Sequence, residues 1–374
     1  MTALFLACAG FALYTYALFP LLLHWRARRR PAPVAPTPER WPSVSIVIAA
    51  HNEAANLPAK LDSLERLDYP PELVEWVIVS DGSSDGTDRL LADAFAGRPR
   101  RTVHHYDVPG GKCHALNAGV ELATGEVIVF MDARQPVVPE ALRLLVPHLQ
   151  DPTVGAASGE LVIGDGETFV AGSLGAYWRY EKWIRKNQSR IFSNTSVTGA
   201  LYAIRRADFV PNPDGLLLDD FGTPMSLLKR GLRILYVPGA YAFDRANDDL
   251  ALEFRRKVRN LAGNWQSFAL HRWLFSPSAN PVWWQFLSHK VFRLLVPWAL
   301  MLAFMASVVG DTPFLRAMLT LQLIVYGVGA LALLNLPGSS SRPATFLKVF
   351  LRLNAAAVVG TVRYFSDVRA VSWR

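Results

Sequence analysis

Hydrophobic positions divide the chain into long apolar runs near both ends and shorter apolar stretches between them. Residues 3–25 form an apolar run of about the length that crosses a bilayer, and arginines follow at 26, 28, 29 and 30. A cleavable signal peptide carries its basic residues before the apolar run, so we predict a retained transmembrane anchor over 1–25. The positive-inside rule then predicts an external amino terminus and a cytoplasmic location for the residues that follow.

A globular domain is predicted over 44–270, after a basic, proline-rich linker over 26–43. In its first half, strand patterns alternate with amphipathic helical patterns, as in βαβ units with a mostly parallel sheet. The predicted strands there are 44–50, 74–80, 102–106 and 127–131, and the predicted helices are 56–67, 88–96 and 113–122. From 154 onward the predicted elements are shorter and richer in glycine, namely a helix over 177–186, a strand over 198–205, an apolar run over 216–220 that ends in acids, a helix over 225–229 and a strand over 233–237. The predicted fold is therefore α/β, with a mostly parallel sheet flanked by helices.

The C-terminal region, 291–374, is predicted to be largely embedded in a membrane. Residues 291–310 and 314–336 are apolar and long enough to be spanning helices. A third segment, 346–365, is interrupted by Arg352 and Asn354, so it is either a third span, which we favour, or an amphipathic helix lying in the interface. An interfacial segment is predicted over 271–290. The aromatic and basic helix at 177–186 also suits a lipid headgroup surface, with an ordinary core-facing helix as the alternative.

Composition and charge favour a membrane-surface enzyme over a nucleic-acid-binding protein. The 374 residues suffice for one large α/β domain with added helices, and 51% of them are hydrophobic. The formal net charge is +8, and the basic residues cluster beside apolar segments, which indicates anionic lipid or a phosphate-bearing substrate. No common nucleic-acid-binding motif occurs. The two cysteines give neither a disulfide framework nor a metal cluster, which is typical of a reducing compartment.

Candidate binding residues follow the predicted strands. Asp132 ends the apolar run that begins at Val127, and Asp81 directly follows the strand over 74–80. Since the carboxyl ends of parallel strands form the ligand-binding edge of an open α/β sheet, these acids are predicted to line one crevice. The alternatives are a solvated acid at Asp132 and an ordinary turn at Asp81.

The turn after the first strand argues against a dinucleotide cofactor. It reads Ala50-His51-Asn52-Glu53, without the glycines of a dinucleotide-binding loop. An NAD or FAD enzyme is therefore not predicted. Taken alone, Glu53 could simply complement the dipole of the following helix.

Several motifs, in order along the chain, resemble family-2 inverting glycosyltransferases, whose nucleotide-sugar-binding fold is called GT-A. The matching segments are 44–57, Asp81 to Thr87, Gly110-Gly111-Lys112 with Asn117 to Gly119, Asp132, and Leu218-Asp219-Asp220. The resemblance covers roughly 44–266. The flanking apolar helices resemble the membrane-bound branch that includes cellulose and hyaluronan synthases.

The resemblance implies a donor site built around the strand ends. Asp81 would contact the nucleotide base, with Ala50 and Glu53 lining the same pocket. Lys112 would lie near the diphosphate, where a point cation suits phosphate. These positions make a nucleotide-diphospho-sugar the implied donor.

The metal motif is only partly present. Asp132 stands at the first acid of the family's D-x-D motif, and Arg134 replaces the second acid. One carboxylate with diphosphate oxygens and water can still hold Mg²⁺ or Mn²⁺, so a divalent metal is the implied cofactor. Arg134 could also supply positive charge to the donor directly.

The resemblance also implies a catalytic base and an acceptor site. Asp219 and Asp220 match the family's acidic T-E-D motif, with Asp220 at the position of the base that removes the acceptor's proton. Two adjacent carboxylates raise one pKa, which favours a base that works near neutral pH. The Q-x-x-R-W motif is partial: Arg259 matches, whereas Arg256 stands at the Gln position and Asn260 at the Trp position. Arg256 and Arg259 would bind the acceptor and diphosphate; a basic helix on anionic lipid is the alternative.

The sequence thus predicts an integral membrane glycosyltransferase of the inverting type, in a bacterial inner or plasma membrane, with its catalytic domain in the cytoplasm. It would move a sugar, with a UDP-sugar as the expected donor, to a polysaccharide, a glycolipid or a lipid-linked acceptor. Partner subunits are compatible with this interpretation, and nucleic acid is not an expected partner. The alternatives are a polyprenyl-phosphate sugar transferase and a catalytically silent membrane subunit that binds nucleotide-sugar.

Overall fold

A single sheet organises the globular part of the protein. The computed structural model describes residues 1–164, 173–244, 250–334 and 341–366. Within these ranges seven strands form the sheet, in the spatial order β3-β2-β1-β4-β6-β5-β7. The strands are β1 (Val44–Ala50), β2 (Val74–Asp81), β3 (Arg101–Tyr106), β4 (Val127–Asp132), β5 (Val154–Ile163), β6 (Leu201–Arg205) and β7 (Arg233–Asp244).

Strand direction fixes the edge on which the candidate residues lie. Strands β1 to β4 run parallel, so Ala50, Asp81 and Asp132 all stand at carboxyl ends on the same edge. Strand β6 runs antiparallel to β4 and begins at this edge, with Leu201 opposite Met131. The mixed, mostly parallel sheet is therefore open at the edge where α/β proteins bind ligands.

The sequence pattern did not indicate β5, which is the second-last strand of the sheet. Its residues include Gly155 and Gly159, and glycine is unfavourable in strands by propensity alone. Packing explains Gly159, because a Cβ there would meet the carbonyl oxygen of Ala240 at 2.6 Å. The glycine-rich stretch is thus a strand that requires close backbone approach, which only the tertiary structure reveals.

Helices cover both faces of the sheet and extend beyond it. They are α1 (Thr2–Leu13), α2 (Phe19–Ala27), α3 (Leu57–Glu65), α4 (Thr87–Phe95), α5 (Lys112–Leu122), α6 (Ala141–Leu145), α7 (Ser173–Ile191), α8 (Asp219–Lys229), α9 (Leu250–Leu270), α10 (Trp283–Phe286), α11 (Phe292–Val309), α12 (Pro313–Leu333) and α13 (Arg342–Ser366). Short 3-10 turns occupy Pro71–Leu73, Val146–Gln150, Arg206–Asp208 and Arg272–Phe275. π-helical turns at Tyr14–Leu18 and Leu287–Val291 join α1 to α2 and α10 to α11.

The hydrophobic core lies on both faces of the sheet, since every residue of β1 is buried. On one face Ile46 and Ile48 belong to the cluster that includes Leu57 of α3. On the other face Val47 belongs to the cluster of Leu116 in α5. Alternate residues of a strand point to opposite faces, so a strand covered on both sides is apolar throughout.

Within the described residues, four helices are long and apolar enough to cross a membrane. They are Thr2–Ala27, Trp283–Val309, Pro313–Leu333 and Pro343–Ser366. The second begins at Trp283, so the end of the predicted interfacial segment 271–290 is part of this helix and not a separate element. The segment around Arg352 and Asn354 is helical and satisfies the same criteria of length and composition. The last two residues of the predicted span 314–336 lie outside the described residues.

Helix α7 joins the globular part to these apolar helices. Its Ile184 is buried in a cluster with Phe19 and Leu23 of α2. The Tyr180 hydroxyl donates to the Tyr16 carbonyl over 2.8 Å, and His24 Nδ1 lies 3.1 Å from Asn187 Oδ1. The aromatic helix predicted over 177–186 is thus the middle of a longer helix packed against the N-terminal apolar helix.

Candidate active site

The Asp81 carboxylate fixes the glycine loop that leads to Lys112. The side chain is fully buried. Its Oδ1 accepts a 2.8 Å hydrogen bond from the amide of Gly110, and its Oδ2 accepts one of 2.8 Å from the amide of Gly111. Gly111 has a φ of 99°, a conformation that glycine adopts without strain. In this structure Asp81 therefore positions the loop, and its contact with a nucleotide base stays a prediction.

The turns that follow β1 and β2 are tied to each other. Asn52, with a left-handed φ of 55°, accepts from the amide of Ser84 over 2.8 Å. The Glu53 amide donates to Thr87 Oγ1 at 2.9 Å. Side-chain oxygens thus satisfy backbone donors that the ends of the strands leave open. Ala50, which is fully buried, ends β1 directly before this paired turn.

Glu53 faces the charged part of the cleft. Burial raises the pKa of its carboxyl group, and a 2.6 Å hydrogen bond from Asn56 Nδ2 acts in the opposite direction. Arg134, Asp132 and Arg256 are close enough for their charges to act on the same pKa. The structure therefore brings Glu53 together with three predicted site residues.

Lys112 connects two of the predicted acids. Its Nζ lies 2.7 Å from Asp132 Oδ1 and 3.1 Å from Asp219 Oδ1. Burial alone would lower the pKa of Lys112, but the carboxylates of Asp132 and Asp219 outweigh it and raise that pKa well above its usual value. The ammonium group is therefore permanently charged at the centre of the cleft.

Asp219 and Asp220 begin α8; they do not end a strand. This corrects the prediction of an apolar run over 216–220 that reaches the cleft as a strand would, and the helix predicted over 225–229 begins six residues earlier, at Asp219. Placement in the first helical turn favours anionic side chains, because the unpaired amides there carry partial positive charge. The two acids reach the cleft because β6 begins at the same edge and the Val197 amide donates to the Asp220 carbonyl at 3.1 Å.

Asp220 has the electrostatic properties of a base that works near neutral pH. Burial raises the pKa of its carboxyl group to about 6, and the adjacent Asp219 carboxylate contributes to the rise. The positive charges of Lys112, Lys290 and Arg185 act in the opposite direction. Among the described residues, no side chain forms an ion pair with Asp220, so its carboxylate is available to a ligand.

Gln266, which the sequence analysis did not single out as a site residue, holds the loop before the two acids. Its Oε1 accepts from the Leu217 amide at 2.9 Å, and its Nε2 donates to the Gly215 carbonyl at 2.9 Å. Both bonds join α9 to the segment that enters α8. Gln266 is a positioning residue for Asp219 and Asp220, and a single sequence offers no signal for such a long-range contact.

The residue in place of the second metal acid has its own partner. Arg134 Nη2 lies 2.6 Å from Asp244 Oδ2, and Gln135 Nε2 donates to the same oxygen at 3.1 Å. Asp244 ends β7 and was not a predicted site residue. Arg256 is exposed, and the charges of Arg134 and Asp244 act on it. This side of the cleft is therefore framed by the Arg134–Asp244 ion pair and by the exposed Arg256.

Arg259 has a donor atom without a partner among the described residues, whereas Trp265 is engaged with another helix. Arg259 Nε is buried and has no hydrogen-bond partner within the described part of the chain, and its charge acts on the neighbouring Arg256. Trp265 donates from Nε1 to Thr361 Oγ1 at 2.9 Å and packs edge-to-face on Phe268. Trp265 thus joins α9 to α13, and it does not stand in for the missing aromatic residue of the partial motif.

The acids at the centre of the cleft fit a divalent metal only with help from a ligand. Among the described residues, no group of three or more His, Cys, Asp or Glu side chains could hold a metal ion. Asp132 supplies one carboxylate, and Asp219 has a buried Oδ2 with no hydrogen-bond partner in the described residues. Mg²⁺ commonly binds through one or two carboxylates with substrate phosphates completing its shell. The residues present fit such a metal.

Comparison with known proteins agrees with the fold and with the family that the motifs resemble. Residues 45–210 match the profile of glycosyl transferase family 2. An N-acetylglucosaminyltransferase of Rhizobium sp. strain N33 is 27% identical over 256 residues, which are 61% of this chain and 55% of that protein. A beta-monoglucosyldiacylglycerol synthase of Trichormus variabilis is 30% identical over 168 residues, 44% of this chain and 36% of that protein. The chain thus spans about half the length, or less, of these relatives.

A solved structure extends the similarity to nearly the whole chain. A mannosyltransferase from Pyrobaculum calidifontis, determined in complex with GDP-Man and Mn²⁺, superposes with a TM-score of 0.75 at 24% identity. The superposition covers 97% of this chain and 99% of that protein. This confirms the GT-A fold.

Proposed function

We propose, since residues 45–210 match the model of glycosyl transferase family 2, that the chain is a membrane-integral inverting glycosyltransferase of this family. Its donor is a nucleotide-diphospho-sugar, and we infer a UDP-sugar. Its acceptor carries a hydroxyl group and belongs to a lipid, a glycolipid or a growing glycan. The observation that carries the proposal is the position of Asp220, whose pKa of about 6 suits a general base, beside the charged group formed by Lys112, Asp132 and Asp219.

The arrangement accounts for an inverting transfer in terms of this chain's own groups. Asp220 accepts the proton of the acceptor hydroxyl while that oxygen attacks the anomeric carbon from the face opposite the diphosphate. Lys112 lies ready to exchange part of its contact with Asp132 for a diphosphate oxygen, where a fixed cation stabilises the departing charge. Arg259, with its unsatisfied buried Nε, supplies a further donor for an anionic group.

A divalent cation completes the donor site in this proposal. Asp132 would hold it, and Asp219 offers a second carboxylate oxygen. When bound, Mg²⁺ or Mn²⁺ neutralises negative charge on the diphosphate. Arg134 and Arg256 add positive charge on the same side, since both act electrostatically on Glu53. These two arginines supply part of the positive charge that a second metal-binding acid would have provided by holding the metal ion.

The membrane arrangement follows from the four candidate spans and from α7. We infer that the cleft faces the cytoplasm, because the basic residues after Ala27 then lie on the cytoplasmic side. A beta-monoglucosyldiacylglycerol synthase among the relatives supports a lipid acceptor. A partner subunit is compatible with this arrangement.

Purified full-length protein in lipid nanodiscs tests the proposal. Radiolabelled UDP-glucose and UDP-N-acetylglucosamine are offered with and without Mn²⁺, together with total bacterial lipid, and both UDP release and labelled products are measured. A chloroform-soluble product supports lipid transfer, and an insoluble product of high mass supports a polysaccharide acceptor. Asp220→Asn abolishes transfer while UDP binding persists. Donor binding without turnover in the wild-type protein would instead identify a silent nucleotide-sugar-binding subunit.

A further inference from the structure

Two cations beside Asp220 lie outside the donor site described above. Arg185 belongs to α7, and Lys290 lies in the π-helical turns at the start of the apolar helix Trp283–Val309. Both act electrostatically on Asp220. Lys290 Nζ also lies 5.7 Å from the ring centre of Phe221, the residue that follows Asp220. Elements from two distant parts of the chain therefore bring positive charge to the candidate base.

Both cations bind one short segment next to Asp220. Lys290 Nζ donates to Ser196 Oγ at 3.0 Å, and Arg185 Nη1 donates to Thr198 Oγ1 at 2.7 Å. The segment between them is anchored to the base, because the Val197 amide donates to the Asp220 carbonyl. A Cβ added to Gly199 would lie only 3.4 Å from the Asp220 Cβ. The segment 196–199 therefore forms one wall around the base, with a cation at each end.

Within the described residues neither cation has a carboxylate in direct contact, although the charge of Asp220 acts on both. In the ranges that the structure describes, no carboxylate lies within ion-pair distance of Arg185 or Lys290. Their hydrogen-bond partners there are the neutral hydroxyl groups of Thr198 and Ser196. A lysine ammonium has three donors and an arginine guanidinium five, so several donors remain for a ligand. The two positive charges exceed the single negative charge of Asp220 beside them, so a second anion between the cations would lower the cost of their partial burial.

The two cations lie on elements that belong to the candidate spans or pack against them. Lys290 follows Trp283 and Trp284, aromatic residues of the kind that lie at headgroup depth. Trp284 packs on Phe19 with ring centres 5.1 Å apart, and its Nε1 donates to Tyr14 Oη at 3.0 Å, which places it against the N-terminal apolar helix. Helix α7 packs on the same helix. A molecule held between the cations therefore lies where a membrane headgroup reaches.

We propose that Arg185 and Lys290 bind a phosphate group of the acceptor, next to the hydroxyl group that receives the sugar. The inference rests on the proposed function and narrows the acceptor to a phosphate-bearing molecule, with an anionic lipid headgroup as its source. In the transfer, the acceptor oxygen bonds to the anomeric carbon as the bond from that carbon to the diphosphate oxygen breaks. The leaving diphosphate keeps the electron pair, Asp220 takes the hydroxyl proton, and the acceptor phosphate is unchanged.

Three acceptors with matched glycerol groups test the inference in the full-length protein. They are dioctanoyl phosphatidylglycerol, which has phosphate and hydroxyl groups, dioctanoylglycerol, which has a hydroxyl but no phosphate, and water-soluble glycerophosphoglycerol. Wild-type protein is expected to show the highest kcat/KM with phosphatidylglycerol. Use of glycerophosphoglycerol with equal efficiency supports phosphate recognition but assigns its source to a soluble molecule. Equal or better use of dioctanoylglycerol would overturn the inference.

Variants separate phosphate recognition from a structural role. Lys290→Gln and Arg185→Gln should each lower kcat/KM with phosphatidylglycerol about tenfold or more through KM, since each removes a charged hydrogen bond. The same changes should lower kcat/KM with dioctanoylglycerol much less, so the ratio of kcat/KM with phosphatidylglycerol to that with dioctanoylglycerol falls. Lys290→Arg retains the preference, and Lys186→Gln, which removes an exposed charge from the same helix, leaves it unchanged. An equal loss with both lipids would show that the two cations act on the fold or on Asp220 and not on the acceptor phosphate, and it would refute the proposal.

A binding measurement keeps this inference distinct from the proposed function. Retention of dioctanoyl phosphatidylglycerol by the detergent-solubilised protein is followed by native mass spectrometry, without donor. The wild-type protein should retain this lipid more strongly than Lys290→Gln does. If no nucleotide-sugar supports transfer but this difference is present, the proposed function fails and the phosphate site remains. If transfer occurs and the difference is absent, the phosphate site is wrong and the glycosyltransferase proposal stands.

Discussion

The acid side of the pH–rate profile depends on one carboxyl group in the proposed mechanism. Asp220 must be ionised to accept a proton, and burial together with Asp219 raises its pKa to about 6. The rate, measured as kcat/KM, should therefore be constant above about pH 7 and fall as the pH is lowered through 6. A group with a raised pKa is protonated earlier on acidification than an exposed aspartate, so the fall begins well above the usual aspartate range.

The size of this effect follows from the ionised fraction. At pH 5, one unit below the pKa, about one tenth of the molecules carry an ionised Asp220, so kcat/KM should be about tenfold lower than its plateau. Asp219→Asn removes the nearest negative charge and lowers the pKa of Asp220. The acid limb should then move to lower pH, and the ratio of the rate at pH 5 to that at pH 7.5 should rise.

The assay measures initial UDP release over pH 4.5–8.5 at limiting donor and acceptor, in buffers of constant ionic strength. Asp214→Asn is the matched control, since it removes a highly exposed carboxylate a few residues before the two acids. This control should keep the wild-type limb. Two results would show that Asp220 is not the titrating base. One is an acid side of the kcat/KM profile that does not move in Asp219→Asn, and the other is a wild-type profile whose midpoint lies at the pKa of an exposed aspartate.

Three further predictions concern the metal, a buried lysine and a close backbone contact. Asp132→Asn should raise the Mn²⁺ concentration needed for half-maximal UDP release by about tenfold, because it removes one of the two carboxylates proposed to hold the metal; an unaltered Mn²⁺ titration would contradict that proposal. Lys60 is fully buried and donates to the Gln135 carbonyl, and burial lowers its pKa to about 7. The pKa of Lys60 is lower in the folded than in the unfolded chain, so the unfolded chain binds more protons between pH 7 and 9. The free energy of unfolding of the wild type relative to Lys60→Met should therefore rise by about 2 kcal/mol over this range, measured by chemical denaturation; a difference that does not change with pH would refute this. Gly159→Ala should lower the free energy of unfolding by about 1–3 kcal/mol, measured by thermal unfolding, because the added methyl group meets the Ala240 carbonyl oxygen. An unchanged free energy of unfolding would show that this close contact between the strands is not needed.

Local patterns predicted the elements whose residues are buried in a regular way. Strands β1, β2 and β4 contain short apolar runs, and β1 and β4 were predicted within one residue of their observed bounds. The helices between them were predicted within two residues at each end. Burial on one or both faces imposes a period on the sequence, and that period can be read without knowledge of the partner element. Helix α8 was predicted too short, since its first turn contains two acids and a glycine, which are poor indicators of helix.

The motif order indicated which residues gather in the cleft. The structure brings Lys112, Asp132 and Asp219 into direct contact and places Glu53 and Arg134 close to them. It shows Asp81 engaged with the glycine loop, a use that the sequence did not suggest. The roles assigned to all these residues remain predictions that the experiments above address.

The sequence by itself determined the fold class, the long apolar helices and the presence of acids at the strand ends, because these depend on burial and on order along the chain. Only the tertiary structure decided that Arg134 pairs with Asp244, that Gln266 holds the loop before α8, and that Lys290 approaches Asp220. These contacts join residues from about 50 to 110 positions apart. A polar side chain can bond to any group that folding brings within reach, however distant in sequence. A local sequence pattern therefore does not predict which partner it has.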